Sequence, residues 1–146
     1  MVKRLCGWAM LLVAISIMAR ASCITTHCPK LEDMKLPKNK RHWDSDGLPK
    51  YIVIVLRDWK SRCTPNVGKP YPMKLHRNYL DPTFCPVTWL LIYLQYAGIK
   101  TGPLFQLKKG GMWHGISDTV WCGMTNALFA CAGIRIQGRA ATADPP

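Results

Sequence analysis

The sequence predicts a single α+β domain that is mainly helical and contains one small antiparallel β-hairpin. The chain has 146 residues, of which 49% are hydrophobic and 19% charged, a length and composition typical of one globular domain. Residues 51–56 form a short, mostly β-branched run, which is typical of a strand. Apolar residues recur at helical spacing in residues 87–97 and again after Asp118. These three observations fix the fold class.

The N-terminal third is predicted to contain one helix and a long connection. Leu5 to about Ser22 is apolar on nearly every side, as expected of a helix buried in a core. Leu31 to Leu36 is expected to form a short strand or turn. Pro37 to Pro49 is rich in Lys, Asn, Asp, Gly and Pro, so it is expected to form a surface loop.

The centre of the chain is predicted to form the hairpin and a second helix. Residues 51–56 are apolar throughout, so we expect this strand to be covered on both faces. Residues 71–75 alternate and are expected to pair back with it. The helix over 87–97 is expected to hold Pro86 in its first turn and to end at Gly98 as a left-handed cap.

The C-terminal part is predicted to contain a loop, a third helix and a tail. Residues 101–115 are expected to be a loop because they contain Gly110-Gly111 and other turn residues. Ser117 is expected to cap a helix that runs from Asp118 to Gly133. Residues 135–146 lack periodicity and apolar weight. We therefore expect a domain over residues 1–134 and an unstructured tail over residues 135–146.

The charge of the chain favours a polyanionic partner. Twenty Lys and Arg residues stand against eight Asp and Glu, giving a net charge of +12. A surplus of this size favours nucleic acid or an anionic membrane surface. The basic residues are spread along the chain instead of forming one block, which suits a folded groove better than a disordered tail. A basic protein with a merely solvated surface is the plainer alternative.

The cysteines favour a reducing compartment. There are seven, without a C-x-x-C pair, so we expect neither a metal site nor a cofactor. Cys122 and Cys131 lie in an apolar helical pattern, where a reduced cysteine is expected to pack as a small hydrophobe. Intracellular proteins keep their thiols in this form.

The N-terminus also has the features of a signal peptide. A short basic start precedes the uncharged run from Trp8 to Met18, and Ala19-Arg20-Ala21 has the small-x-small form of a cleavage site. Cleavage would remove residues 1–21 and leave six cysteines, so a secreted, disulfide-bonded basic protein is the alternative. The apolar run is far shorter than the ~20 residues of a membrane span, so no membrane partner is expected. We favour the core helix.

Several segments follow one another in an order that points to a known family. They are Met-Ala-Arg-Ala-Ser at residues 18–22, Glu-Asp-Met at 32–34, Leu-Arg-Asp-Trp-Lys-Ser-Arg at 56–62, and the stretch 78–105, which ends in Gly-Pro-Leu-Phe. Together they resemble the catalytic domain of tyrosine recombinases, the phage-integrase-like enzymes of eukaryotic mobile elements. The resemblance covers roughly residues 8–134. It implies part of a DNA breaking-rejoining core, double-stranded DNA as partner, and a role in DNA recombination or integration inside the cell, in the nucleus. It leaves open whether several copies assemble on the DNA.

The resemblance assigns roles to individual cations. Arg20 matches the first active-site arginine of the family, and Lys60 matches the hairpin lysine that protonates the leaving sugar oxygen. Cations around the phosphate stabilise the charge that develops in the transition state. Lys69 is a second candidate for the lysine role. The residues expected to bind DNA are Arg57, Arg62, Lys69 and Arg77.

The chain also departs from the family. No His-x-x-Arg motif follows the third helix, and no tyrosine follows Tyr96 to serve as nucleophile. Cys23 stands where the family usually has an acidic residue, and the family's N-terminal helical domain has no counterpart. We therefore expect a truncated relative that binds DNA and is inactive alone as a recombinase.

Overall fold

The computed structural model of the chain describes residues 1–18, 24–25, 27–57 and 70–133. These ranges contain the helices α1 (Val2–Ser16), α2 (Pro86–Ala97) and α3 (Asp118–Cys131), and the strands β1 (Met34–Lys35), β2 (Tyr51–Leu56), β3 (Tyr71–His76), β4 (Gln106–Lys109) and β5 (Met112–Gly115). The predicted α+β class with small antiparallel sheets is confirmed. The predicted tail, residues 135–146, lies outside the described residues.

Strands β1, β2 and β3 form an antiparallel sheet in that order. The predicted pairing of β2 with β3 is confirmed, and β1 adds a third strand on the other side of β2. In β2 the side chains of Ile52, Ile54 and Leu56 are buried in the core, whereas those between them are half-buried. The prediction that both faces of β2 are covered is therefore wrong. β-Branched residues are favoured in strands even on a face that is only partly covered, so an apolar run does not require burial on both faces.

Helices α2 and α3 agree with their predicted limits to within two residues. Pro86 occupies the first turn of α2, and Gly98 ends it with φ 67°, a conformation that glycine adopts without strain. Ser117 caps α3, because its Oγ accepts a hydrogen bond of 3.3 Å from the backbone N–H of Val120.

Residues 101–115, predicted to be a loop, contain a second hairpin. Strands β4 and β5 pair from Gln106↔Gly115 to Lys109↔Met112. The turn between them is Gly110-Gly111, with φ of 57° and 85°. Two consecutive positive φ angles suit the twist of a two-residue hairpin turn. The two glycines therefore close a hairpin instead of marking a loop.

Helix α1 lies at the centre of the core. It packs against α2 and α3, and Cys6, Ala9 and Met10 are fully buried. It ends at Ser16, earlier than predicted, and residues 19–23 lie outside the described ones. Ile15 is 65% exposed, so the prediction of a helix buried all round is wrong for its last turn. None of the helices in the described part of the chain has the length and apolarity needed to cross a bilayer.

The described cysteines are free thiols in two different settings. Cys6 and Cys85 are buried and Cys28 is half-buried, whereas Cys122 and Cys131 are exposed on α3. Burial raises the pKa of Cys6 to about 12 and that of Cys28 to about 11, so both are neutral thiols at physiological pH. The prediction that Cys122 and Cys131 pack as small hydrophobes is wrong, because the apolar face of α3 buries Trp121 and Met124 instead.

Candidate nucleic-acid interface

The structure describes two of the residues predicted from the family resemblance. Arg57 follows β2 directly, and Arg77 follows β3 directly. The predicted catalytic residues Arg20 and Lys60 lie outside the described residues, as do Arg62 and Lys69. The geometry of a catalytic centre at these positions is therefore not described. Of the residues predicted to bind DNA, Arg57 and Arg77 are the two whose contacts can be examined.

Arg57 is held by a buried carboxylate. Its Nε and Nη2 lie 2.7 Å and 2.6 Å from Oδ1 of Asp33, and the Asp33 side chain is 2% exposed. The other carboxylate oxygen of Asp33 accepts a hydrogen bond of 3.1 Å from the backbone N–H of Lys30. Asp33 immediately precedes β1, so this pair fastens β1 to the end of β2.

The pKa of Asp33 lies below its usual value near 3.8. Burial pushes this pKa upward, but hydrogen bonds from Arg57 and from the Lys30 backbone, together with the charge of Arg57, outweigh burial. The ionised form therefore stabilises the fold. This contribution is complete above the unfolded-state pKa of about 3.9 and is lost as the pH falls through the lower folded-state pKa.

Asp33→Asn is expected to lower the free energy of unfolding by about 1–2 kcal/mol at neutral pH. The expected loss of stability is modest because the guanidinium of Arg57 is 59% exposed and therefore screened by water. Urea unfolding at neutral pH and at about pH 3 measures this loss. The difference in unfolding free energy between the variant and the wild type should shrink at the acid pH. The control is Glu32→Gln, because Glu32 is exposed and its ion pair with Lys30 is long, at 3.8 Å, and therefore weak. Equal losses for the two variants would contradict the role of the buried pair.

Arg77 is bound by two carboxylates of the loop before β2. Its Nη1 lies 2.7 Å from Asp44 and 2.9 Å from Asp46, and its Nη2 donates to the second oxygen of Asp46. Tyr79 donates a hydrogen bond of 2.8 Å to Asp44. The hydrogen bonds from Arg77 hold the pKa of Asp46 below its usual value, and those accepted by Asp46 and Asp44 raise the pKa of Arg77. This network fastens the loop to the end of β3.

Both described arginines of the predicted DNA-binding set are thus paired with carboxylates of the same chain. A paired guanidinium has a smaller net charge to offer a phosphate, because the carboxylate repels the incoming anion. The free cations of the described sheet lie elsewhere.

The outer face of the β1–β2–β3 sheet carries two exposed lysines in register. Lys35 of β1 is opposite Val53 of β2, and Val53 is opposite Lys74 of β3. The lysines are two strand spacings apart, about 10 Å. Within the described ranges neither lysine pairs with a carboxylate. We call Lys35, Lys74 and the aromatic ring between their strands, Tyr51, the sheet face.

Tyr51 anchors an aromatic and basic cluster at one end of the sheet face. The Lys74 ammonium lies 4.6 Å from the centre of the Tyr51 ring, a cation–π distance. The rings of His42 and His76 lie 5.4 Å and 6.1 Å from the same ring. His42 ends a 3₁₀ turn that also carries Lys40 and Arg41, both exposed. The cluster therefore surrounds a half-buried tyrosine with one ammonium group and two imidazole rings.

The sheet face carries cations that can bind phosphate oxygens. Lysines held on a sheet are point charges for phosphate oxygens, and contacts of this kind position a duplex without reading its sequence. No group of three or more potential metal ligands is assembled in the part of the chain that the structure describes.

Sequence reasoning missed Lys35 and Lys74. The alternation of residues 71–75, which is visible in the sequence, places the side chain of Lys74 on the sheet face opposite to that of the buried Leu75. The register that brings Lys35 to the same face as Lys74 could not be predicted from the sequence, because β1 is two residues long.

No protein-family model, curated protein or solved structure matched the chain when it was compared with each of these groups. The resemblance to tyrosine recombinases therefore stays a prediction from the sequence.

Proposed function

We propose that the chain is a DNA-binding protein of the tyrosine-recombinase type, which binds the phosphates of double-stranded DNA through the sheet face and does not cut the strands. The observation that carries the proposal is the in-register pair Lys35 and Lys74, exposed and without a carboxylate partner in the described ranges. The role in recombination or integration, a nuclear location and the partial breaking-rejoining core come from the family resemblance.

The electrostatics of the whole chain support a DNA partner. A net charge of +12 draws a polyanion toward the protein, and lysines without a carboxylate partner among the described residues then provide the local contacts. Lys35 and Lys74 are about 10 Å apart at the backbone, and their long side chains can reach different phosphates of one duplex.

The rigidity of the sheet supports the same partner. Lys35 is positioned by β1, which the Asp33–Arg57 pair fastens to β2. Lys74 is positioned by a strand that pairs with β2 along all six residues. In this arrangement the two predicted arginines act as positioning residues: Arg57 and Arg77 hold the elements that present the lysines.

Replacing Lys35 and Lys74 by Gln together is expected to weaken duplex binding roughly sixtyfold at about 0.1 M salt. The estimate is roughly eightfold for each phosphate contact, from the release of condensed counterions. Fluorescence anisotropy with a labelled duplex of mixed sequence measures the affinity. The matched control, Lys35→Arg with Lys74→Arg, keeps both charges and should bind like the wild type. Wild-type affinity of the double Gln variant, with an unchanged melting temperature, would overturn the proposal.

A further inference from the structure

The β4–β5 hairpin presents a second basic and aromatic surface, centred on Trp113. The Trp113 side chain is 38% exposed. It lines two open grooves at once. Its partner across the hairpin is Lys108.

The two grooves place lysines around Trp113. One groove has a volume of about 420 Å³ and is lined by Lys100, Thr101 and Gln106. The other has a volume of about 340 Å³ and is lined by Lys3 and Lys108. Both volumes lie in the range of small-ligand sites. Neither groove is lined by an Asp or Glu residue, so the surface is positive without local compensation.

The floor of the larger groove is built rigidly. Gln106 is 3% exposed, and its Nε2 donates hydrogen bonds of 2.9 Å to the carbonyl oxygens of both Thr101 and Pro103. The buried hydroxyl of Tyr93 donates to the carbonyl of Gln106 at 2.7 Å and accepts from its backbone N–H at 3.0 Å. These bonds fix the loop that carries Lys100, so the groove is preorganised for a ligand.

Trp113 differs from the other described tryptophans. Trp8, Trp43 and Trp89 each donate their indole N–H to a backbone carbonyl, and Trp121 is buried in the core. The Trp113 N–H and ring have no hydrogen-bond or aromatic partner in the described part of the chain. Among the described residues, Trp113 is thus the tryptophan whose indole N–H and exposed ring surface are available to a ligand.

We propose that Trp113 is a stacking platform for an unpaired base of single-stranded nucleic acid, with Lys3, Lys100 and Lys108 binding the adjacent phosphates. A nucleotide whose base stacks on the indole has a phosphate on each side. Lys100 lines one groove beside the ring, and Lys3 and Lys108 line the other. Stacking on an aromatic ring combined with a positive groove is the usual way in which proteins bind single strands.

This site is separate from the proposed duplex-binding sheet face. In a duplex both faces of each internal base are stacked on neighbouring bases, so an indole reaches a base only where the strand is unpaired. The lysines of the two surfaces are different residues. The two proposals can therefore fail independently.

The test uses labelled oligo-dT and oligo-rU of about 15 nucleotides, the upper size of a typical single-strand site. Trp113→Ala is expected to weaken binding about tenfold, because it removes the ring on which the base stacks. The matched control, Trp113→Phe, keeps an aromatic face and should keep most of the affinity. Similar binding of both oligomers supports the shared chemistry, and a preference for one identifies the natural sugar.

A second measurement guards against a folding defect in Trp113→Ala. Stacking quenches indole fluorescence, so wild-type emission should fall when oligo-dT is added, and the fall should be smaller in Trp113→Phe. Lys100→Gln with Lys108→Gln should reduce the dependence of log K on log salt by about 0.7 for each lysine. Unchanged affinity of Trp113→Ala, or quenching that persists fully in Trp113→Phe, would overturn the proposal. Lys35→Gln with Lys74→Gln should leave oligo-dT binding unchanged.

Discussion

Met10→Asp is expected to abolish cooperative folding, whereas Ile15→Asp on the same helix is expected to leave the fold intact. Met10 is fully buried between α1 and the rest of the core, and Ile15 is 65% exposed. A carboxylate at position 10 would be buried without a partner, at a cost of several kcal/mol. The lost packing of the fully buried Met10 side chain adds about 2–5 kcal/mol, and the two costs together match the total stability of about 5–15 kcal/mol of a domain of this size. Urea unfolding followed by circular dichroism measures both variants.

The outcome decides between the two interpretations of the N-terminus. A signal peptide is removed from the mature protein, so the remaining domain must fold without it. Helix α1 instead buries Cys6, Ala9 and Met10 against α2 and α3, and removal of residues 1–21 would expose that apolar surface. Two results would contradict the core-helix interpretation: a cooperatively folded protein without residues 1–21, or a secreted product that starts near Ser22.

The elements that could be predicted from the sequence are those with strong local signals. Strand β2 matches its predicted limits because six consecutive β-branched, aromatic and aliphatic residues leave no competing structure. Helix α2 was predictable because Pro86 and Gly98 mark its two ends chemically. The β4–β5 hairpin was missed because its strands, Gln-Leu-Lys-Lys and Met-Trp-His-Gly, are mostly exposed and lack apolar alternation.

The candidate site was harder to predict than the fold. The sequence identifies Arg57 and Arg77 as cations beside the hairpin, but their partners lie 24 residues away at Asp33 and 31 to 33 residues away at Asp46 and Asp44. Pairing over such separations depends on tertiary structure, which local patterns do not encode. The same holds for the sheet face, because Lys35 and Lys74 lie on two different strands, β1 and β3, that pair with opposite edges of β2.

Trp113 illustrates a different limit. Its neighbours Gly110-Gly111 favour a loop, and a tryptophan is most often a packing residue. The groove on each side arises from the loop fixed by Tyr93 and Gln106 and from the start of α1. A binding surface whose residues are so far apart in the chain can be recognised only from the tertiary structure.

Raising the salt concentration from about 50 to 200 mM is expected to weaken duplex binding about 10²-fold. The sheet face and the adjacent 3₁₀ turn offer four exposed cations, Lys35, Lys40, Arg41 and Lys74, that pair with no carboxylate of the described residues. Four phosphate contacts give a slope of log K against log salt of about −3.6, because each contact contributes about −0.9. Anisotropy titrations at several salt concentrations measure the slope.

The slope also separates local contacts from the diffuse attraction of a protein with a charge of +12. Lys35→Gln with Lys74→Gln removes a small part of the total charge, yet it should halve the slope to about −1.8 if the two lysines contact phosphates directly. The charge-keeping Arg variants should retain the full slope. A slope that stays near −3.6 in the Gln variant would place the contacts outside the sheet face, and binding indifferent to salt would exclude phosphate contacts altogether. The slope counts phosphate contacts, and the melting temperature of each variant, measured alongside, reports whether its fold is intact, so the two measurements together distinguish a lost interface from a damaged fold.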